Sequence, residues 1–124
     1  GGGVNPILRA AEKALSTEED YMDEHERLCQ RKHKGRLSDY AFEQQQQKLL
    51  ALWCSNCVSL SKDGLSKFQG LTLRDVLFMT EKDVDLKLRG KFKSRFLEGQ
   101  SKLRQVMEDK AFQHWASAER KPSE

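Results

Sequence analysis

The pattern Thr-x-x-Asp occurs twice in close succession, as Thr72-Leu73-Arg74-Asp75 and as Thr80-Glu81-Lys82-Asp83. Each is a capping box with Asp in place of the usual Glu. The hydroxyl and the carboxylate satisfy each other's backbone N–H groups and so set a helix start. Two starts eight residues apart leave room only for very short helices, over about 73–78 and 81–86. No segment shows sustained apolar–polar alternation with β-branched enrichment. The fold class is therefore all-α.

Longer helices flank this region. Asn5-Pro6 opens a first helix over 5–34, with Asn as N-cap and Pro at the first helical position. Ile7, Ala11, Ala14, Glu18, Tyr21, His25 and Leu28 recur at steps of four and three, the stripe of an amphipathic helix. Ser16-Thr17-Glu18-Glu19 offers a fresh start near Thr17, so the segment is one bent helix or two in succession. It stops at Arg31-Lys32-His33-Lys34-Gly35, cations over a helix C-terminus followed by glycine. Ser38 or Asp39 caps a second helix from about Tyr40 to Leu60, on the stripe Phe42, Gln46, Leu49, Trp53, Cys57 and Leu60. The connection is short, which makes the two antiparallel neighbours.

Past Leu60, Ser61-Lys62-Asp63-Gly64 reads as a turn and Leu65–Phe68 as one helical turn. After Gly90, the spacing of Phe92, Phe96, Leu97, Leu103, Val106, Met107, Ala111 and Trp115 outlines one helix from about Lys91 to Ala118. That helix is ~40 Å long, more than a small bundle is wide. The first helix is the candidate to cover its far end. Trp53, Trp115, Phe112 and Tyr40 are core candidates, with one or two able to anchor an interface. The expected organisation is an expression scar over 1–4, a helical hairpin over 5–62, a helical bundle with a long last helix over 63–118, and a disordered tail over 119–124. The two helical parts are expected to form one compact unit.

Composition narrows the function. The 124 residues are 37% hydrophobic and 33% charged, enough for one modest core. No apolar run approaches a membrane span, and the opening residues lack the basic and apolar regions of a signal peptide. Three cysteines, Cys29, Cys54 and Cys57, are an odd number without a leader, which points to the cytoplasm or nucleus. Residues 1–62 carry nine cations and nine anions, while 63–124 carry thirteen and ten. Lys87, Arg89, Lys91, Lys93, Arg95, Lys102 and Arg104 crowd into 87–104 against Glu98 alone, the one concentrated field in the sequence. Glu18, Glu19, Asp20, Asp23, Glu24 and Glu26 form a negative patch on the first helix, able to meet the basic last helix in this chain or in a second copy.

The stretch from Phe68 through Gly70-Leu71-Thr72-Leu73-Arg74-Asp75-Val76-Leu77-Phe78-Met79-Thr80-Glu81-Lys82-Asp83-Val84 resembles the middle of a sterile alpha motif (SAM) domain. Gly90-Lys91-Phe92-Lys93-Ser94-Arg95-Phe96-Leu97 resembles the glycine and basic last helix of that family. The likeness covers about 65–104. Val84-Asp85-Leu86-Lys87-Leu88-Arg89 replaces the usual Leu-Gly-Ile, and the 5–60 hairpin has no counterpart. The resemblance implies partners of two kinds. One is another SAM-like surface of opposite charge, the acidic side here being Asp75, Glu81, Asp83 and Asp85. The other is RNA, held by its backbone on the basic helix start, Lys87, Arg89, Lys91, Lys93 and Arg95. A plain solvated charged face is the competing reading.

Nothing points to catalysis, a cofactor, a metal or a small-molecule substrate. Cys54-Ser55-Asn56-Cys57 with Cys29 and His33 would supply four zinc ligands. In an antiparallel hairpin, however, Cys29 and Cys54 fall ~15–20 Å apart at helical rise. The thiols read as small buried groups. His25, His33 and His114 lie apart, and Glu18-Glu19 and Asp83/Asp85 suit helix starts. The expected function is a non-catalytic protein–protein interaction or oligomerisation module of a scaffold, signalling or regulatory protein, docking through charge-complementary helical surfaces. The alternative is an RNA-binding module.

Overall fold

The computed structural model describes residues 15–119, with side chains through His114. The expected scar over 1–4, the helix start at Asn5-Pro6, residues 120–124 of the expected tail and the Trp115 side chain lie outside the described residues. Among the described residues six helices follow in order: α1 Glu18–His33, α2 Asp39–Asn56, α3 Lys62–Ser66, α4 Leu73–Phe78, α5 Glu81–Asp85 and α6 Gly90–Glu119. The fold is all-α, with no strand among the described residues.

The starts of α1 to α5 each have a side-chain cap. Thr17, Thr72 and Thr80 each form a full capping box with Asp20, Asp75 and Asp83. Ser38 and Ser61 accept from Ala41 N and Gly64 N. Two boundaries differ from the expected ones. Ser61–Gly64 is not a free turn but the cap and first turn of α3. Gly64 is small because its α-carbon lies against Leu60, where a β-carbon would meet that residue's Cβ at 3.3 Å. The second helix ends at Asn56, not Leu60. Ser59 takes φ +59°, and the Leu60 N–H returns to the Cys54 carbonyl. A left-handed residue closes the helix here as glycine usually does. Because it is serine, the sequence carries no stop signal.

The hairpin is antiparallel. Trp53 Nε1 donates to Glu18 Oε2 at 2.8 Å, Gln46 Nε2 donates to His25 Nε2 at 3.3 Å, and Lys32 pairs with Asp39. Helix α6 runs beside α1. At one level Gly99 approaches so closely that a β-carbon there would sit 3.0 Å from Trp53 Cζ2. Further along, Lys110 Nζ reaches Asp23 at 2.6 Å and Glu26 at 3.4 Å. The first helix thus covers part of the distal half of the long one. Its acids divide: Asp23 and Glu26 serve that contact, Glu24 pairs with Arg27, Asp20 caps, and Glu18 is buried.

A spine of rings joins the hairpin to the short helices. Tyr21 lies 6.1 Å from Trp53, Trp53 meets Phe96 edge-on at 5.6 Å, and Phe96 stacks on Phe68 at 4.9 Å. Each such pair adds about 0.5–1.5 kcal/mol beyond the area it buries. Around the spine close Leu15, Leu28, Leu49, Leu50, Val76, Val84, Leu88 and Leu103. Tyr40 and Phe112, expected inside, are 73% and 65% exposed. Tyr40 sits two residues before Phe42 and therefore on the opposite side of α2 from the inward stripe.

Candidate docking surface

The short helices and the start of α6 bring the predicted acidic and basic residues onto neighbouring ground. In α4 the buried positions are Leu73, Val76 and Leu77, at steps of three and one. That stripe leaves Phe78 outside, 68% exposed, with the Arg74 guanidinium 5.9 Å from its ring centre. Phe78 lines an open groove of about 570 Å³ with Leu71, Met79, Arg74, Asp75 and Asp83. Leu86 is 85% exposed for the same reason, since Val84 and Leu88 occupy the inward positions on either side of it.

The acids hold two different duties. Asp75 and Asp83 accept from the Thr72 and Thr80 backbone N–H groups, at 2.9 and 3.1 Å. Those bonds keep both carboxyls below the usual carboxylate range, so both are charged anions beside the Phe78 ring. Glu81 and Asp85 instead face Lys93, whose ammonium lies 2.6 Å from Asp85 and 3.2 Å from Glu81. The hydrogen bonds to Asp85 and then Glu81 raise the Lys93 pKa.

The cations divide as well. Lys87 Nζ donates to the Lys67 carbonyl at 3.1 Å while Lys67 Nζ donates to the Lys87 carbonyl at 3.0 Å. Lys87 also sits 5.8 Å over Phe68. Lys102 pairs with Glu98. Arg104 Nε donates to the Leu77 carbonyl at 2.7 Å, and one turn earlier the buried Gln100 amide donates to the Val76 and Met79 carbonyls at 2.8 and 2.9 Å. Together these cap the C-terminus of α4, a use of Gln100 and Arg104 that the sequence does not signal. Lys91 lies 5.4 Å over Phe92. Arg89 and Arg95 are exposed, with no carboxylate at ion-pair distance among the described residues.

The predicted basic face is therefore narrower than its five residues, Lys87, Arg89, Lys91, Lys93 and Arg95: Arg89, Lys91 and Arg95 remain outward. The acidic and basic sets also meet within the chain, at Lys93. Phe78, the apolar centre between Asp75 and Asp83, was missed in the sequence reading. The spacing of Leu73, Val76 and Leu77 was the signal that could have found it.

Cys54 is buried in the core and Cys57 half-buried. Burial raises both thiols to about 12, reinforced at Cys57 by the nearby Glu18 carboxylate. Cys29 faces His25 Nδ1 at 3.6 Å rather than His33. Among the described residues no three His, Cys, Asp or Glu side chains are arranged to hold a metal ion. Nor is any helix among them long and apolar enough to cross a membrane. Compared with known proteins, the chain matches no family model, no curated protein and no solved structure.

Proposed function

We propose that this chain is a non-catalytic interaction module of a scaffold, adaptor or signalling protein, docking through helical surfaces of opposite charge. The observation that carries the reading is Phe78, an exposed ring in a groove flanked by the anions Asp75 and Asp83. Arg89, Lys91 and Arg95 at the start of α6, beside the exposed Leu86, offer the complementary cations and an apolar contact. A second copy can thus seat its α6 corner in the Phe78 groove. Because the two patches differ, such a contact is head-to-tail and propagates. The SAM resemblance of 65–104 carries the same implication. A phosphate-binding reading of the α6 start is weaker, because Lys93 is engaged by two carboxylates of its own chain. The free thiols suit a reducing compartment, cytoplasm or nucleus.

Sedimentation velocity over a range of concentrations and salt tests this reading. Association should grow with concentration and weaken as salt rises, since screening at physiological strength acts over ~8 Å. Phe78→Asp and the pair Lys91→Glu/Arg95→Glu should each abolish it, and mixing the two variants should restore only a dimer through the intact pair of surfaces. A sedimentation coefficient unmoved by concentration, salt and both variants rules self-docking out.

A further inference from the structure

A second concentration of positive charge, smaller than that over 87–104, lies at one end of the hairpin. Within 31–39, Arg31, Lys32, Lys34 and Arg36 stand against Asp39 alone, which leaves +3, the formal charge of the whole chain. The other 115 residues balance eighteen cations with eighteen anions. Tertiary structure deepens the contrast, because Lys93, Lys102 and Lys110 all meet carboxylates. At the hairpin turn only Lys32 does, on Asp39, while Arg31 leans on the neutral Gln45 amide at 3.4 Å. Lys34 and Arg36 are exposed and have no ion-pair partner among the described residues.

The turn holds these cations in place without using them. Gly35 takes φ +73°, and the N–H groups of Lys34, Gly35 and Arg36 return to the carbonyls of Gln30, Lys32 and Arg31. The last carbonyls of α1 are thereby satisfied by backbone, so no cation is needed to cap them. From the turn, Tyr40, Gln44 and Lys48 descend one face of α2, all exposed and four residues apart, about 6 Å of rise per step. Beside this stripe lies an open groove of about 620 Å³ between α2 and the loop before α4, with Gln44, Lys48 and Gln69 on its rim and Glu43 as its single carboxylate.

We propose that this end of the hairpin binds single-stranded nucleic acid. Lys34, Arg36 and Lys48 contact phosphates, Tyr40 stacks on a base, and the Gln44 amide presents a donor and an acceptor to a base edge. A duplex hides the base faces that Tyr40 would meet, whereas a single strand presents one at every nucleotide. Leu37, the one aliphatic residue of the turn, packs on the core and so offers a membrane no aliphatic group to insert. An acidic peptide would use the cations but offers no series of π-faces to Tyr40. The surface shares no residue with the Phe78 groove or the α6 corner, so the proposal stands apart from the docking reading.

The test is fluorescence anisotropy of the full chain with labelled mixed-sequence RNA and DNA strands of about 15 nucleotides over a range of salt. The wild type should bind both, with affinity falling as salt rises. Lys34→Glu/Arg36→Glu should weaken binding at least ~10-fold and reduce the logarithmic salt slope by about 1.4, the share of two phosphate contacts on a single strand. Tyr40→Ala should weaken it at least ~5-fold with the salt slope unchanged, as lost stacking requires. All these positions are exposed, and far-ultraviolet circular dichroism confirms that each variant folds. Four results overturn the proposal: no binding at low salt; wild-type binding by the charge-reversed or the Tyr40→Ala variant; tighter binding to phosphatidylserine vesicles or polyglutamate than to the strands; or loss of binding on Lys91→Glu/Arg95→Glu instead, which moves the site to α6.

Discussion

Polar groups in the short helices α3–α5 and in the layer formed by α1, α2 and α6 find partners at very different distances along the chain. In α4 and α5, Thr72 serves Asp75 and Thr80 serves Asp83, three residues apart. In the long-helix layer, Trp53 reaches back to Glu18 and Lys110 to Asp23. Local pairs form as soon as a turn of helix forms and are individually modest. Remote pairs exist only once the helices pack, and losing the buried Trp53–Glu18 bond leaves a carboxylate stranded. The comparison teaches where this protein is fragile: at the crossings, not at the caps.

The sharpest way to break the contrast is Trp53→Ala. It deletes the centre of the ring spine and strands the buried Glu18 carboxylate, at an expected cost of about 3–5 kcal/mol. Urea denaturation should show one early transition that takes the short helices with it. If α4 and α5 persist after the hairpin melts, the spine does not couple the two regions. Next come the crossings themselves. Gly99→Ala drives a methyl group into Trp53 and Val58, worth about 1–3 kcal/mol as overpacking. Gln100→Ala deprives the Val76 and Met79 carbonyls of their donor, also about 1–3 kcal/mol. Equal midpoints for either variant and the wild type would remove the distinction. At the local end, Thr72→Ala and Thr80→Ala should cost about 1 kcal/mol each, as lost caps.

Acidification should act on the two regions in turn, and more weakly than any of these substitutions. His25 is packed between Tyr21, Cys29 and Gln46, and burial lowers its pKa below the ordinary 6.5. The native state holds it neutral, and the unfolded chain protonates first as pH falls. Its contribution is complete above 6.5 and is lost as pH drops through the depressed folded value. Protonation at Nε2 would also force the Gln46 amide to turn. Asp75 and Asp83, lowered from 3.8 by backbone hydrogen bonds, hold their contribution until more acid conditions. Stability measured against pH should therefore decline first through the hairpin and later through the short helices. His25→Gln should flatten only the first phase, and an unchanged profile in that variant would contradict the assignment.

Much of the architecture is legible along the chain. The two Thr-x-x-Asp boxes mark α4 and α5 to within a residue, because both partners of each cap lie inside one helical turn. The cations and glycine at 31–35 mark the end of α1 for the same reason. Where sequence reading falls short, the determinant is remote or takes an unusual residue. Ser59 stops α2 without a glycine, Gly64 is small because of its packing on Leu60 and not because of a turn, and Tyr40 faces solvent. The candidate surface follows the same division. The residues predicted for it are indeed outside or at its edge, yet which of them remain available for a partner depends on neighbours that spacing cannot supply.

By itself, the sequence determined the helical class and the starts of α2, α4 and α5, since each depends on groups within a few residues of one another. Only the tertiary structure decided how the charge is spent. Lys93 is neutralised by Glu81 and Asp85, Arg104 and Gln100 are turned to the end of α4, and Lys110 is drawn to α1. The cations at 34–36 are left facing water. Charge density along a chain counts residues, whereas the field outside a fold depends on which opposite charges packing brings within a few ångströms, and that is settled only when the helices meet.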